Sequence, residues 1–208
     1  GLELGAFGVR AGPIMASADH IEIIIEGRGA HAAKPDEGVD VVLAGASIVT
    51  ALQQVVARNV DPLKSAVVSI SMFHAGEVDN VLPQRARLEG TARALDKGVR
   101  TLLKTRIEAV AKAIGGAFGA EVKVAFSEGY PVTRNHKAQA AFAAEVAREV
   151  AGADQVDADA APMMAAEDFA FMLEERPGAY IFLGNGASAG LHHPQYDFCD
   201  GAIPFGVS

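Results

Sequence analysis

The sequence lacks the features that mark several broad classes of protein. Cys199 is the only cysteine, so no internal disulfide can form, and a reducing compartment, the cytoplasm, is expected. There is no basic run, and 18 Lys and Arg against 26 Asp and Glu give a net charge of -8, which argues against nucleic acid as the main partner. No apolar stretch approaches the roughly 20 residues that a membrane-spanning helix needs.

Several enzyme motifs are also missing. The sequence contains no HExxH, no Walker-type GxxxxGK[ST] and no GxSxG. What it does contain is a normal balance for a globular protein with a real core, since 50% of the residues are hydrophobic and 21% are charged. The chain starts at Gly1 rather than Met and stops at Ser208, shortly after a predicted helix start, so truncation at both ends is expected.

The first half of the chain alternates strand and helix patterns. Period-2 alternation predicts strands at 19–26, 66–73, 85–94 and about 122–126. Helical spacing predicts a helix from Gly38 to Arg58 with an apolar stripe of Val42, Ala46, Val49, Leu52 and Val56. Asp96 is a predicted N-cap for a second helix, and Gly115-Gly116 is its predicted stop. The order β-α-β-β-α-β over 18–127 predicts an α+β, ferredoxin-like arrangement, an antiparallel sheet with two helices on one face.

The second half has no obvious closed core. It contains a predicted helix at about 136–151, with Phe142, Val146 and Val150 on one side, and a predicted apolar strand at 179–183. We interpret it as an incomplete piece of an α/β domain. The predicted divisions are therefore 1–17, the tail of that domain, 18–128, the ferredoxin-like domain, and 129–208, the rest of the α/β domain.

Two histidines are candidates for chemistry. His192 follows a predicted strand and a Gly-rich loop, where α/β folds place functional side chains, and neutral imidazole is a common ligand of divalent metals. His31 lies in a loop of small residues and could donate a hydrogen bond to a developing oxyanion. From position alone, a solvated loop histidine is the more common alternative for both residues.

Three polar positions are further candidates. Arg93 could grip a substrate carboxylate with its guanidinium fork, although Arg85 and Arg87 share its face of the strand and all three could simply be solvated. Asn80 could be no more than a turn residue. The pair Glu167-Asp168 is better explained as acidic residues at a helix start than as catalytic groups.

Six short segments, in order along nearly the whole chain, resemble the metal-dependent amidohydrolases that include aminoacylases, hippurate hydrolases, indole-acetyl-amino-acid hydrolases and glutamate carboxypeptidases. The segments are 9–16 (VRAGPIMA), 29–35 (GAHAAKP), 79–83 (DNVLP), 90–93 (GTAR), 166–169 (AEDF) and 191–198 (LHHPQYDF). At two positions, His193 and Cys199, this sequence departs from the asparagine that the family often has, and the second histidine complicates the choice of ligand.

The resemblance implies a specific architecture and chemistry. Residues 18–128 would be a lid domain that pairs with its copy in a homodimer, and the flanking segments would be the C-terminal part of a metal-binding domain. His31 would stabilise the tetrahedral oxyanion in the partner's site, Asn80 and Arg93 would hold substrate, and His192 would be the last metal ligand. Two Mn²⁺ or Zn²⁺ ions per subunit would activate water for hydrolysis of an N-acyl amino acid. The glutamate general base and the other ligands would lie upstream.

Two alternatives stay open at this stage. The chain could act only as a non-catalytic dimerisation module, because one candidate ligand cannot make a metal site. It could also be a ferredoxin-like small-molecule-binding domain, since fold alone does not fix function.

Overall fold

The computed structural model describes residues 2–208. Its strands are β1 (Phe7–Gly8), β2 (Gly12–Met15), β3 (Asp19–Glu26), β4 (Ala30–His31), β5 (Ala66–Ala75), β6 (Val81–Leu82), β7 (Arg85–Ala94), β8 (Glu121–Glu128), β9 (Thr133–Asn135), β10 (Val156–Asp157) and β11 (Phe182–Leu183). Its α-helices are α1 (Val41–Asn59), α2 (Lys97–Ala117), α3 (Lys137–Ala151), α4 (Phe169–Glu175) and α5 (Ile203–Val207).

The chain divides into two compact units. The larger unit comprises Ala16–Val132 together with Met164–Ala166, and the smaller unit comprises the chain up to Met15, Thr133–Met163 and Glu167–Ser208. The sequence places its divisions at 17/18 and 128/129 and does not anticipate that the tripeptide 164–166 belongs with the preceding unit.

The larger unit is built on an antiparallel sheet in the strand order β5-β7-β3-β8. Alternation places Ile21, Ile23 and Ile25 of the central strand β3 in the core, where each is fully buried. Helices α1 and α2 supply apolar faces to the same core. Asp40 caps α1 by accepting the Val42 and Leu43 N–H groups, and Asp96 caps α2 as predicted by accepting the Val99 N–H.

The buried face of α1 is not the predicted one. Val41, Ala44, Ile48, Leu52 and Val55 are buried, whereas Val42 is 41% exposed and Ala46 is exposed. The helix is apolar around most of its circumference, so a 3.6-residue period fits more than one stripe. The expectation that no stretch is long and apolar enough to cross a membrane was wrong for α1, whose 19 residues meet that test in the described chain. One face of α1 is nevertheless part of the core.

A β-bulge changes the predicted faces of β5. The register with β7 shifts between Ile70 and Met72, so Phe73 pairs with Leu88 and Met72 pairs with Glu89. The extra residue reverses the alternation, and the Phe73 ring turns toward α1, where it packs against Gly45. Unbroken alternation along 66–73 would place Met72 on the same face as Val68 and Ile70, and the bulge places Phe73 there instead.

The predicted stop of α2 at Gly115-Gly116 was also wrong. The helix continues to Ala117, and Gly119 with φ +78° follows it in the left-handed region that favours glycine. Gly115 serves packing instead, because a Cβ there would lie 2.1 Å from the Val122 Cγ2 atom.

The smaller unit contains short sheets and little core. Strand β1 pairs with β10 and β11, β2 pairs with β9, and a small cluster forms from Val9, Ala140 and Ala144. Helix α3 therefore packs through alanines. In the predicted stripe of Phe142, Val146 and Val150, the first two side chains are exposed, Phe142 by 68%, and Val150 is half-buried. Of the predicted strand 179–183, only Phe182–Leu183 is a strand, because the Asn135 side chain binds the Tyr180 N–H and carbonyl in place of a neighbouring strand.

Candidate functional site

His31 and Asn80 lie together at one end of the larger unit. Strand β4 pairs with β6 in the register Ala30↔Leu82 and His31↔Val81. The Ala32 N–H donates to the Asn80 carbonyl at 2.9 Å. The backbone thus fixes the His31 loop beside the Asn80 turn, although the two residues are 49 positions apart in the sequence, and both side chains are exposed.

The imidazole of His31 is oriented by its own loop. The Ala33 N–H donates to the His31 Nδ1 atom at 3.0 Å. An Nδ1 that accepts a hydrogen bond carries no proton, so the proton of the neutral ring is on Nε2. The exposed nitrogen of His31 is therefore a hydrogen-bond donor.

Two glycines make the loop around His31 possible. A Cβ on Gly38 would lie 2.9 Å from the Ala30 Cβ and 3.0 Å from the Arg28 carbonyl oxygen. A Cβ on Gly29 would lie 3.1 Å from the Leu82 carbonyl oxygen. The small residues of this segment therefore let β4 lie close to β6 and to the chain that leads into α1.

Arg93 lies at the opposite end of the same sheet. Strand β7 begins at Arg85, next to the segment that carries Asn80, and Arg93 is eight residues further on. At roughly 3.3 Å per residue this separates the two ends by about 26 Å. The structure therefore brings His31 and Asn80 together within the larger unit and keeps Arg93 apart from them.

The guanidinium of Arg93 is partly engaged. Its Nη1 donates to the Met164 carbonyl at 3.2 Å, and the side chain is partly buried. The neighbouring Ala16 N–H donates to the Ala165 carbonyl at 2.8 Å, so two hydrogen bonds hold the tripeptide 164–166. A guanidinium has five N–H donors, so Arg93 keeps donors for a second, anionic partner.

His192 stands out by its backbone. Its φ is +67°, and it is the only non-glycine residue among those described that has a positive φ. A non-glycine residue in this region is uncommon and occurs often at functional sites. The side chain is exposed, and within residues 2–208 no hydrogen bond to its imidazole is found, whereas the His193 Nδ1 accepts the Gln195 N–H at 3.1 Å. His192 is thus the freer of the two adjacent rings.

Glu167 and Asp168 lie at the start of helix α4, as predicted by their interpretation as acidic residues at a helix start. Asp168 is at the N-cap position of α4 but forms no side-chain cap. The Glu167 carboxylate instead accepts the Tyr180 hydroxyl at 3.2 Å and the Asp168 N–H at 3.1 Å. Burial raises the pKa of Tyr180, and the Glu167 charge and hydrogen bond raise it further. The sequence analysis did not identify Tyr180 as a partner of Glu167, because it treated Tyr180 only as part of the predicted apolar strand 179–183.

The described residues do not make a metal site by themselves. No group of three or more His, Cys, Asp or Glu side chains in residues 2–208 is placed to hold a metal ion. His192 fits as a single ligand, because its ring is exposed and its nitrogens are not used by the loop.

Comparison with known proteins gives consistent relatives. The chain is 39% identical over 194 residues to a hippurate hydrolase of Campylobacter jejuni, covering 93% of this chain and 51% of that protein. It is 36% identical over 202 residues to an N-acetyl-L-cysteine deacetylase of Bacillus subtilis, covering 97% and 48%. The chain thus spans about half the length of the curated relatives it matches.

Solved structures agree. A Bacillus subtilis protein described as a dinuclear metal-binding peptidase of the M20 family superposes with a TM-score of 0.80 at 30% identity, covering 98% of this chain and 51% of that one. A tripeptidase from Staphylococcus aureus superposes with a TM-score of 0.72 over 99% of this chain and 51% of that one; at 21% identity it shows the fold alone. The sequence pattern of Peptidase family M20/M25/M40 matches residues 3–208. This chain belongs to Peptidase family M20/M25/M40.

Proposed function

We propose that the chain is the C-terminal part of a metal-dependent amidohydrolase that cleaves the amide bond of N-acyl amino acids. The relatives named hippurate hydrolase and N-acetyl-L-cysteine deacetylase support this class of substrate. The observation that carries the proposal is the arrangement of His31, an exposed Nε2–H donor held beside Asn80 on a fixed backbone.

The larger unit would be the lid of this enzyme, with a ferredoxin-like arrangement. If its main strands β3, β5, β7 and β8 are numbered 1 to 4 in chain order, their order in the sheet is 2-3-1-4. All neighbouring strands are antiparallel. Both helices contribute to the core on one face. This order and cover support the proposal of a ferredoxin-like arrangement, in which the split β-α-β unit occurs twice.

His31 would stabilise the transition state of hydrolysis. Attack on an amide carbonyl places negative charge on the carbonyl oxygen, and a fixed N–H donor stabilises that charge without reorganising. The Ala33 N–H keeps the His31 Nε2 in the donor form. The Asn80 backbone is bonded to Ala32, next to His31, and the exposed Asn80 side chain would hold substrate from there.

Arg93 would bind the carboxylate of the amino-acid portion. Its guanidinium can use two parallel N–H groups for a carboxylate while Nη1 holds the Met164 carbonyl. Because about 26 Å of strand separates it from the His31 end, no arginine side chain spans the gap within one subunit. We therefore assign His31 and Asn80 to the site of one subunit and Arg93 to the site of the other in a homodimer.

An uncharged surface of the larger unit supports pairing with a second copy. Helix α1 has no charged side chain from Val41 to Ala57, and the edge strand β5 has no Asp, Glu, Lys or Arg. Leu43 is 53% exposed and Met72 is 45% exposed. On α1, small residues form a shallow groove of about 360 Å³ lined by Ala46, Ser47, Thr50 and Ala51. A close approach of two helices and two strand edges fits this surface.

The opposite edge of the sheet is unsuited to pairing. Strand β8 carries the Lys123–Glu121 pair at 3.2 Å, and the exposed side of α2 carries the Lys112–Glu108 pair. Charges on an edge strand oppose pairing with another chain. We therefore propose that the dimer forms through α1 and β5.

His192 would be one ligand of a centre of about two divalent ions. The metal ions, when bound, polarise the substrate carbonyl and lower the pKa of water. The exposed His192 has a left-handed backbone, whereas the Gln195 N–H occupies the Nδ1 atom of His193, so His192 would be the ligand of the two. The remaining ligands and the general base would come from residues that this chain does not contain, and a cytoplasmic location fits its single cysteine.

Complementation in the natural full-length protein tests this proposal. His31→Ala and Arg93→Ala should each lose hydrolysis of hippurate while retaining the metal content of the wild type. In a mixed dimer of the two variants, one site has an intact His31 from one subunit and an intact Arg93 from the other. Mixing should therefore restore roughly a quarter of the wild-type activity after random re-pairing. No recovery on mixing, with dimers exchanged, would refute the shared site.

A non-catalytic dimerisation module is the second candidate, favoured by the lack of a group of three metal-binding side chains in the described residues. Metal analysis of the full-length protein separates the two. A content of about two ions and hydrolysis that a chelator removes support the enzyme. A metal-free protein without amidase activity supports the module.

A further inference from the structure

Buried polar side chains are concentrated where the chain passes between its units. In the described chain they are Ser17, Asp19, Thr133 and Asn135. The first two lie just after the chain enters the larger unit, and the other two lie just after it leaves. Asp19 is the charged residue among them and is 3% exposed.

Asp19 is held by Arg100 of helix α2 through a two-pronged ion pair. The Arg100 Nε donates to Oδ2 at 2.9 Å and to Oδ1 at 3.2 Å, and Nη2 donates to Oδ1. The Glu128 carboxylate also faces this arginine, 3.8 Å from Nη1, and Lys104 binds Glu128 at 3.0 Å. The pair is thus well bonded although little of it meets solvent.

The same pair fastens the outgoing segment to the incoming one. The Gly129 N–H donates to the Asp19 Oδ1 at 3.2 Å, and the Arg100 Nη2 donates to the Gly129 carbonyl at 3.4 Å. Next to it the Ala18 N–H donates to the Tyr130 carbonyl at 3.0 Å. A Cβ on Gly129 would lie 2.4 Å from the Ala18 carbonyl oxygen, so the two segments touch through their backbones.

Stability alone does not account for a buried ion pair, because apolar residues of similar size often stabilise a fold as well or better. The Asp19–Arg100 pair instead specifies geometry, because its hydrogen bonds hold two separate segments in one arrangement. We propose that Asp19 and Arg100 are positioning residues that fix these two segments against each other at one end of the sheet of the larger unit. Asp19 pairs with Ala92, the chain neighbour of Arg93, so the two residues would orient Arg93 for substrate binding, a consequence that rests on the proposed function.

Amide hydrogen exchange of Arg100→Lys tests the fastening directly. Lysine keeps the charge but has one nitrogen, so it cannot bind both Asp19 oxygens and the Gly129 carbonyl in the same geometry. We expect exchange of the Ala18 and Gly129 amides to accelerate at least about tenfold relative to the Ile23 amide in the central strand β3 of the same variant. Normalising to Ile23 removes any change in global stability. Asp19→Asn should give the same relative acceleration.

Glu22→Gln is the matched control. It breaks the 2.6 Å ion pair between Arg87 of β7 and Glu22, which lies on β3 like Asp19. The Arg87 side chain is 47% exposed, and neither residue belongs to the two segments. Its relative exchange rates should stay at the wild-type values. The proposal is overturned if the exchange rates in Arg100→Lys rise equally at the Ile23 and Gly129 amides, or if the Gly129 rate does not change. Global unfolding of both Arg100→Lys and Asp19→Asn would also overturn it. Failure of the wild-type enzyme to hydrolyse N-acyl amino acids would refute the proposed function and leave the exchange result standing.

Discussion

Gly90 of β7 lies directly against the backbone of Ser69 in β5. A Cβ on Gly90 would lie 2.0 Å from the Ser69 carbonyl oxygen and 2.9 Å from the Ile70 Cα. The contact occurs just before the bulge that turns Phe73 toward α1. Backbone atoms of a paired strand cannot move aside as a flexible side chain can.

Gly90→Ala should therefore destabilise the larger unit. We expect a loss of about 1–3 kcal/mol in the free energy of unfolding, typical of overpacking. Thermal denaturation followed by circular dichroism measures it. Gly76→Ala is an unsuitable control because Gly76 has φ +72°, whereas Gly98→Ala has no backbone neighbour in contact and should change stability much less. Equal stability of Gly90→Ala and the wild type would contradict the close contact.

The adjacent glycines of α2 should respond in opposite directions. A Cβ on Gly115 would lie 2.1 Å from the buried Val122 Cγ2, whereas a Cβ on Gly116 meets nothing within 4 Å. Gly116→Ala should stabilise the protein by about 0.5–1 kcal/mol, because alanine loses less backbone entropy in a helix. Gly115→Ala should destabilise it by about 1–3 kcal/mol. Urea denaturation of both variants measures the difference, and effects of the same sign would contradict the close packing of Gly115 against Val122.

The proposed dimer surface should be sensitive to charge. Ala46 on α1 and Ala109 on α2 are both exposed helical alanines, so Ala46→Glu and Ala109→Glu are chemically matched. Burying an unpaired carboxylate is costly, so Ala46→Glu should convert the dimer to a monomer, while Ala109→Glu should leave it intact. Light scattering after size-exclusion chromatography measures the mass. A dimer that survives Ala46→Glu would exclude α1 as the interface.

Tyr180 should make stability depend on alkaline pH. Burial first, and then the charge and hydrogen bond of Glu167, raise the pKa of Tyr180 above its ordinary value of 10.0. The unfolded chain therefore loses this proton at lower pH than the folded chain, so the Tyr180 contribution is fully present below pH 10.0 and is lost as the pH rises toward the folded pKa.

Tyr180→Phe checks the sign of this effect. The variant lacks the ionisable hydroxyl and should lose less stability than the wild type between neutral and strongly alkaline pH. Denaturation at a series of pH values measures the two slopes. Parallel slopes for the two proteins would show that the pKa of the Tyr180 hydroxyl is the same in the folded and unfolded states.

Strand and helix positions in the larger unit follow directly from the sequence. Ile21, Ile23 and Ile25 alternate with polar neighbours, and Asp96 precedes an apolar 3.6-residue repeat, so β3 and the start of α2 were predictable from local physics. The six family segments likewise selected His31, Asn80, Arg93 and His192. What the residues by themselves determined was therefore which elements form and which side chains to examine.

Packing decided the rest. Two apolar stripes on α1 satisfy the same period, and only contact with the sheet selects Val41 and Ile48 over Val42 and Ala46. The same applies to the bulge that reverses Phe73 and to Gly115, whose neighbour Val122 comes from another element. Sequence likewise gives no distance between residues, so the placement of His31 beside Asn80 and far from Arg93 came from pairing between strands that are distant along the chain. Periodicity acts within one element, whereas register and burial depend on partners that the fold brings together.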